Sequence, residues 1–441
     1  MFKTIKNALK TPEVRKKLLY TLLLIVVFRF GCYIVVPGVD STLLKEEVEN
    51  ATGTLTGLIN TISGGAFSRL SIFAMSISPY ITASIIIQLL GMIIPSLEKL
   101  VKEGGETGKK KINFYTKLLT IVLAAVEAIG IYISYSKSGG SVFINPGFRT
   151  GAIFVISLMA GTALLMWLGE QITSKGIGNG ISLLIFVGII SGLPSGALKL
   201  FNLAFSPFVT SNFILALGII IGAIVLVSGV VFVQEAERRV PVQYAKKVVG
   251  RKMYGGQNTH IPLKLAMAGV MPVIFASSFM TFPAMLIQIF SPSSVGGTGF
   301  LSGLYQFSIA TSTSQGVGLG FAIANAIVYL LLIVAFTFFY TYATFNPAEV
   351  ANNIKKNGGF IPGIRAGKPT AEYISSILLK LTWFGGLFLS LIAIVPILMR
   401  FGPIDLAFGG TSILIVVGVA LETVQQLESQ LVMRHYKGFL E

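Results

Sequence analysis

Ten apolar runs, each near the length of a bilayer crossing, constrain this chain more than anything else in it. They cover roughly residues 18–36, 72–95, 117–136, 151–171, 181–200, 212–234, 265–290, 317–344, 374–398 and 406–427. A helix needs about 20 apolar residues to cross the hydrocarbon core. Composition agrees: of 441 residues 53% are apolar and 12% charged, and mean hydropathy is +0.79. Soluble domains carry about 25% charged residues. The runs predict an all-α membrane protein of ten transmembrane helices. Pro194 interrupts the fifth run, and Pro272 and Pro283 the seventh. Such breaks survive where neighbours satisfy the freed backbone groups. Ten divides into five and five, giving halves at 1–205 and 206–441. An odd number of spans per half means that related halves insert with opposite orientation, and inverted repeats enclose pathways at their interface. No residue-level repeat is evident, so the halves rest on topology alone.

The stretch Leu55 to Leu100 is different in kind. Leu55 to Ser63 is apolar but too short to cross, and Gly64 and Gly65 break it. Ile72 to Ile94 is long enough, with Pro79 inside it. A short apolar helix, a glycine break and a spanning helix predict a segment that enters the membrane and turns back. Non-helical backbone at that depth survives only against protein or water. The stretch therefore implies a cavity, and a cavity through a membrane protein implies transport.

Lys and Arg set the orientation. With ten spans, 27 of them fall on the side that holds Met1–Lys17 and the loops near 96–117, 172–180, 235–264 and 345–373, against 6 on the other. Arg29 stays inside the first span, and nothing in the sequence names its partner. This predicts cytoplasmic N- and C-termini. Met1 to Lys17 is basic and polar rather than a signal peptide, and the run after it is long enough to stay as a span.

Several chemistries lack their residues. Cys32 is the lone cysteine, so no internal disulfide forms. His260 and His435 have no metal-ligand spacing, and HExxH is absent. Asp40 and Asp405 lie outside the strongly apolar runs, against an intramembrane aspartyl protease. No P-loop occurs, so any uphill transport draws on a gradient or a partner. The expectation is no enzyme, no cofactor and no metal. A secondary transporter of small solutes remains the main alternative. It needs ion-coupling carboxylates near the midplane, where Glu127 is the only strong candidate. An intramembrane enzyme comes third and lacks a catalytic constellation.

Two long basic loops, Gln234 to Lys264 and Asn346 to Tyr373, face the basic side. Their charge fits contact with anionic lipid. VPVQY predicts a strand leaving the membrane, and the GG pairs predict turns. Loops with this much local structure could also dock an acidic partner or ribosomal RNA.

Five blocks together resemble the SecY family, the channel subunits of the bacterial protein translocase. They are SGGAFSRLSIFAMSISPYITASIIIQLL, WLGEQITSKGIGNGISLLIF, QNTHIPLKLAMAGVMPVIFASS, NPAEVANNIKKNGGFIPGIRAGKPTAEYI and FGGTSILIVV. They spread over nearly the whole chain. The resemblance implies a two-halved clamshell in the bacterial cytoplasmic membrane, with an hourglass pore and a re-entrant plug helix. It implies a lateral gate of spans two and three against seven and eight. It also implies the small subunits SecE and SecG, the ATPase SecA or a ribosome on the cytoplasmic loops, and signal peptides and unfolded polypeptides as substrates.

Carried onto this sequence, the resemblance implies a plug from Leu55 to about Arg69, including Leu58, Ile59, Ile62, Gly64, Gly65 and Phe67. It implies an apolar pore ring of Ile77, Ile81, Ile185, Ile274 and Ile415. Ile77 and Ile81, four apart, share one helix face. Lateral-gate positions are Thr82, Glu127 and Phe282, and the polar residue many relatives carry on span seven falls on Ala266. Partner-docking positions are Arg239, Lys246, Arg251, Lys252, Lys355 and Arg365, of which Arg365 in PGIRAG matches the position most closely tied to the ATPase.

Overall fold

The computed structural model describes residues 9–40, 60, 63–102, 105–137, 142–205, 210–244, 247–249, 252–254, 258–291, 299–309, 319–399 and 410–437. Each of the ten apolar runs contains a helix. In chain order the helices are α1 (Pro12–Gly31), α2 (Ser78–Ile93), α3 (Pro95–Lys102), α4 (Gly105–Lys137), α5 (Phe148–Lys175), α6 (Gly180–Phe205), α7 (Thr210–Glu235), α8 (Met271–Phe290), α9 (Phe300–Ile309), α10 (Leu319–Thr344), α11 (Pro347–Lys356), α12 (Lys368–Met399) and α13 (Gly410–Lys437). Seven are long and apolar enough to cross a bilayer by themselves: α4, α5, α6, α7, α10, α12 and α13. Of the other three runs, α2 and α8 carry shorter apolar segments, and α1 has charged residues in its first turns.

The two short helices are short for the same reason. Pro79 and Pro272 do not interrupt their helices, as the runs suggested. Each sits in the first helical turn, where its missing N–H costs nothing and its φ is already helical. The residues ahead, 72–77 and 265–270, form tight turns instead of helix. Proline starts the helix, so the apolar run is longer than the span.

The first run is also divided. α1 ends at Gly31, and the chain then runs extended beside residues 70–72. Val36 N–H donates to the Leu70 carbonyl at 3.1 Å, and Ile72 N–H to the Ile34 carbonyl at 3.0 Å. A side chain at Gly31 would collide with the Phe73 ring, and one at Gly161 with the Ile72 carbonyl. Glycine on α1 and on α5 thus lets irregular backbone pass between two helices. Its polar groups are satisfied by protein, as membrane depth requires.

Packing joins successive helices: α2 with α4, α4 with α5, α5 with α6, then α8 with α10, α10 with α12, and α12 with α13. Two seams connect these sets. On one, α8 packs against α4 and α2. On the other, α6 packs against α7 and α13. One apolar core spans both seams, from Phe28 and Ile77 through Leu184 to Phe275 and Leu414. The outward surface is apolar as well, with Leu22, Ile224, Leu331 and Leu391 exposed. A helix apolar on every side belongs in lipid.

The two basic loops fold into one body. Strand β1 (Glu237–Tyr244) pairs antiparallel with β4 (Asn258–Lys264), as VPVQY predicted, and β2 (Lys247–Val249) with β3 (Lys252–Tyr254). β1 also pairs with β5 (Gly359–Phe360) from the second loop. Val240, Val242 and Leu263 bury against Ile354, Ile361 and Ile374. Asn346 caps α11 by accepting from the N–H groups of Ala348 and Glu349, and Lys355 and Lys356 close its last turn, which suits the helix dipole.

Candidate functional site

Three of the five predicted ring residues line one recess. Ile185 on α6, Ile274 on α8 and Ile415 on α13 meet there with Ser182, Val270, Met271, Val419 and Glu422. The recess is nearly filled, with a cavity volume of about 10 Å³. Ile77 and Ile81 join the same apolar core from the start of α2. All five thus belong to or pack against one apolar core, with branched aliphatic side chains. Among the described residues, Glu422 is the one charged side chain lining the recess.

Beside this core lies the segment after the glycine break. Leu55, Leu58, Ile59 and Ile62 lie outside the described residues, but Asn60 and Ser63 onward are described. Gly64 and Gly65 both have positive φ, +66° and +83°, so the break is a left-handed turn that favours glycine. Side chains tie this turn together. Gly65 N–H donates to the Asn60 carbonyl at 2.9 Å, Ser68 N–H to Asn60 Oδ1 at 2.9 Å, and Phe67 N–H to Ser63 Oγ at 3.1 Å. Phe67 is buried with Leu70 and Met75, and the Arg69 guanidinium lies 4.3 Å from the Tyr33 ring centre. The structure also supplies the partner the sequence withheld: Arg29 Nη1 donates to the Gly64 carbonyl at 3.0 Å.

At the seam of α2, α4 and α8, Thr82 on α2 is part-buried and donates to the Ser78 carbonyl. Phe282 is half-buried on α8. Glu127 on α4 is buried, and its Oε1 has no hydrogen-bond partner. The expectation for Ala266 needs correction. It lies in the turn ahead of α8, beside Gly385 of α12, not on the helix. Ahead of Pro283, the polar side chains of α8 are Ser277, Ser278 and Thr281. Ser277 and Thr281 donate to carbonyls of their own helix. These residues were missed because FASSFMTF reads as plain apolar span.

On the loop body, Arg365 is exposed in the turn between β5 and α12, and its carbonyl accepts from Thr370 Oγ1 at 2.8 Å. Lys355 lies beside the same turn, where a Cβ on Gly367 would meet its Cδ at 3.9 Å and its Nζ at 4.0 Å. Arg239 is exposed on β1 and pairs with Glu237 at 2.7 Å. Lys252 is on β3, while Lys246 and Arg251 lie outside the described residues. The structure therefore places Lys355 against the turn that carries Arg365. Among the described residues no cluster of His, Cys, Asp and Glu could hold a metal.

Comparison with known proteins bears on the family and the fold. A protein-family profile described as SecY matches residues 71–424. A curated relative from Streptomyces coelicolor, named protein translocase subunit SecY, is 47% identical over 454 residues, all of both chains. Among solved structures, a SecY channel aligns with TM-score 0.67 and 22% identity over 94% of this chain and 92% of that one. Its plug domain is described as stabilising the closed state and maintaining a membrane seal. The channel of a canine ribosome–channel complex from the endoplasmic reticulum aligns with TM-score 0.64 and 20% identity, over the same shares. At these identities the two structures establish a shared fold.

Proposed function

The chain belongs to the SecY family, and from that premise we propose a division of labour among its parts. It is a multi-pass membrane protein and the channel subunit of a protein translocase. The pore runs through the apolar recess, between halves 1–205 and 206–441. Ile77, Ile81, Ile185, Ile274 and Ile415 form its waist. The observation that carries this reading is the meeting of Ile185, Ile274 and Ile415, from three separate helices, around one central recess.

The physics of the cargo explains the residue type. An unfolded polypeptide carries both charge signs, so a charged filter cannot pass it while holding back ions. A narrow apolar ring can, because it gates by dewetting. Water threading it forgoes hydrogen bonds with nothing in return. Aliphatic side chains still yield to a chain of any sequence. The segment around Leu55 to Arg69 is the plug, a second seal, and the related channel's plug supports that role.

The seam of α2 and α4 against α8 is the lateral gate, through which signal peptides and membrane segments reach lipid. The opposite seam, where α6 meets α7 and α13, is the hinge. The two halves are supported by their matching helix order and by the turn-then-proline start of both α2 and α8. The termini and the loop body face the cytoplasm of a bacterial cell, with the excess of Lys and Arg on that side. Arg365 and Lys355 dock SecA or a ribosome. SecE and SecG are the expected membrane partners. No catalysis is assigned to the chain, which is a passive conduit driven by its partner.

Reconstitution tests this. Vesicles holding the protein with its small subunits, supplied with SecA and ATP, should protect an unfolded precursor from external protease while staying ion-tight at rest. Ile81→Asn with Ile415→Asn should make the resting vesicles conduct ions and relax the demands on the signal sequence. A double variant that inserts normally, stays silent and keeps full stringency would place the waist elsewhere.

A further inference from the structure

We propose that Arg29 is the positioning residue of the plug: its guanidinium latches the 63–69 segment to α1 and α6, and so sets how strong a signal must be to open the channel. The inference rests on the channel reading above. Arg29 lies near the end of α1 among apolar neighbours. A guanidinium at such a place is costly and needs a partner. Here a partner is the backbone carbonyl of Gly64, 3.0 Å from Nη1.

The fit around that carbonyl has no slack. A Cβ on Gly64 would lie 2.7 Å from Arg29 Nη1, 2.7 Å from Ser191 Oγ and 3.1 Å from Gly188 Cα. Only glycine, with φ +66°, lets this turn wedge between the arginine and α6. The same helix end gives a second tie, from Cys32 Sγ to the Ser63 carbonyl at 3.9 Å. Tyr33 is flanked by Arg29 at 5.7 Å and Arg69 at 4.3 Å, so a cation from the helix and one from the segment share a ring. Hydrogen bonds inside the turn, from Asn60 to Ser68, make it move as a unit. A latch on one carbonyl then holds all of it.

A hydrogen bond to a charged group is strong enough that losing it shifts a closed–open balance by roughly tenfold or more. In reconstituted vesicles, Arg29→Gln should raise the export of a defective-signal precursor, relative to a normal one, by about that factor, and should open a resting ion leak. If Arg29→Gln does not accumulate, Arg29→Lys, which keeps the charge but loses the planar fork, reads the same ratio. The control restores the latch covalently: Ser63→Cys, added to Arg29→Gln, is paired with native Cys32, whose Sγ lies 3.9 Å from the Ser63 carbonyl. Oxidation should reseal the vesicles and reduction should reopen them. A variant as stringent and as silent as wild type, or a leak that oxidation leaves unchanged, overturns the latch. Wild-type vesicles that translocate nothing would instead overturn the channel reading.

Discussion

Replacing Glu127 with Met should stabilise the resting protein and make it harder to open. Glu127 is 7% exposed, on a helix that packs against both α2 and α8, and its Oε1 has no partner. A buried polar atom left unpaired costs about 1–3 kcal/mol. Met keeps the length of the side chain and removes that cost. If the cost is relieved when the gate parts and the carboxyl is wetted, then Glu127→Met shifts the closed–open ratio roughly 5- to 150-fold toward closed. Two assays read this. The thermal midpoint of the purified protein should rise. Initial translocation rates should fall, most for precursors with weak signals, and Glu127→Gln should lie between the variant and wild type. A lowered midpoint would mean that the carboxyl makes a stabilising contact and would refute the reasoning. A raised midpoint with unchanged rates for every signal would remove Glu127 from the gate.

Arg365→Glu puts like charge where an acidic partner surface would dock. The protein should insert and assemble normally yet lose at least about tenfold of its ATP-driven translocation, because a buried charge pair across an interface is strongly destabilised by removing one partner. Wild-type rates would free Arg365 from that role. Cysteines at Thr82 and Phe282, with Cys32 replaced, should form a disulfide, which needs Cα atoms about 4.4–6.8 Å apart. Oxidation should block translocation and reduction restore it; full activity while crosslinked would show that these two positions do not part.

The helices were legible because lipid demands length and apolarity, which a sequence displays directly. Their starts were less so. Pro79 and Pro272 read as interruptions, since a proline in an apolar run has the same composition whether it breaks a helix or begins one. The ring isoleucines were placed by matched blocks and not by residue type, because isoleucine is everywhere in this chain; only packing reveals that Ile185, Ile274 and Ile415 meet. The partner of Arg29 was invisible for a different reason. It is a main-chain carbonyl, which every residue has, and only the turn at Gly64 brings it to the guanidinium. Likewise VPVQY announced a strand, but nothing in it announced β5, more than 100 residues later in the chain. Ala266 was misplaced by a few residues because the helix begins later than the run.

The central claim is that polypeptide passes through the buried centre of the bundle and not along its apolar outside. A photoreactive residue placed at Ile185 and, separately, at Ile224 tests it most directly. In the resting protein Ile185 is 4% exposed, whereas Ile224 on α7 is 60% exposed. With a precursor arrested halfway across, the account predicts label on the precursor from the buried position 185 and none from the exposed position 224. Labelling from position 224 with none from position 185 would contradict it.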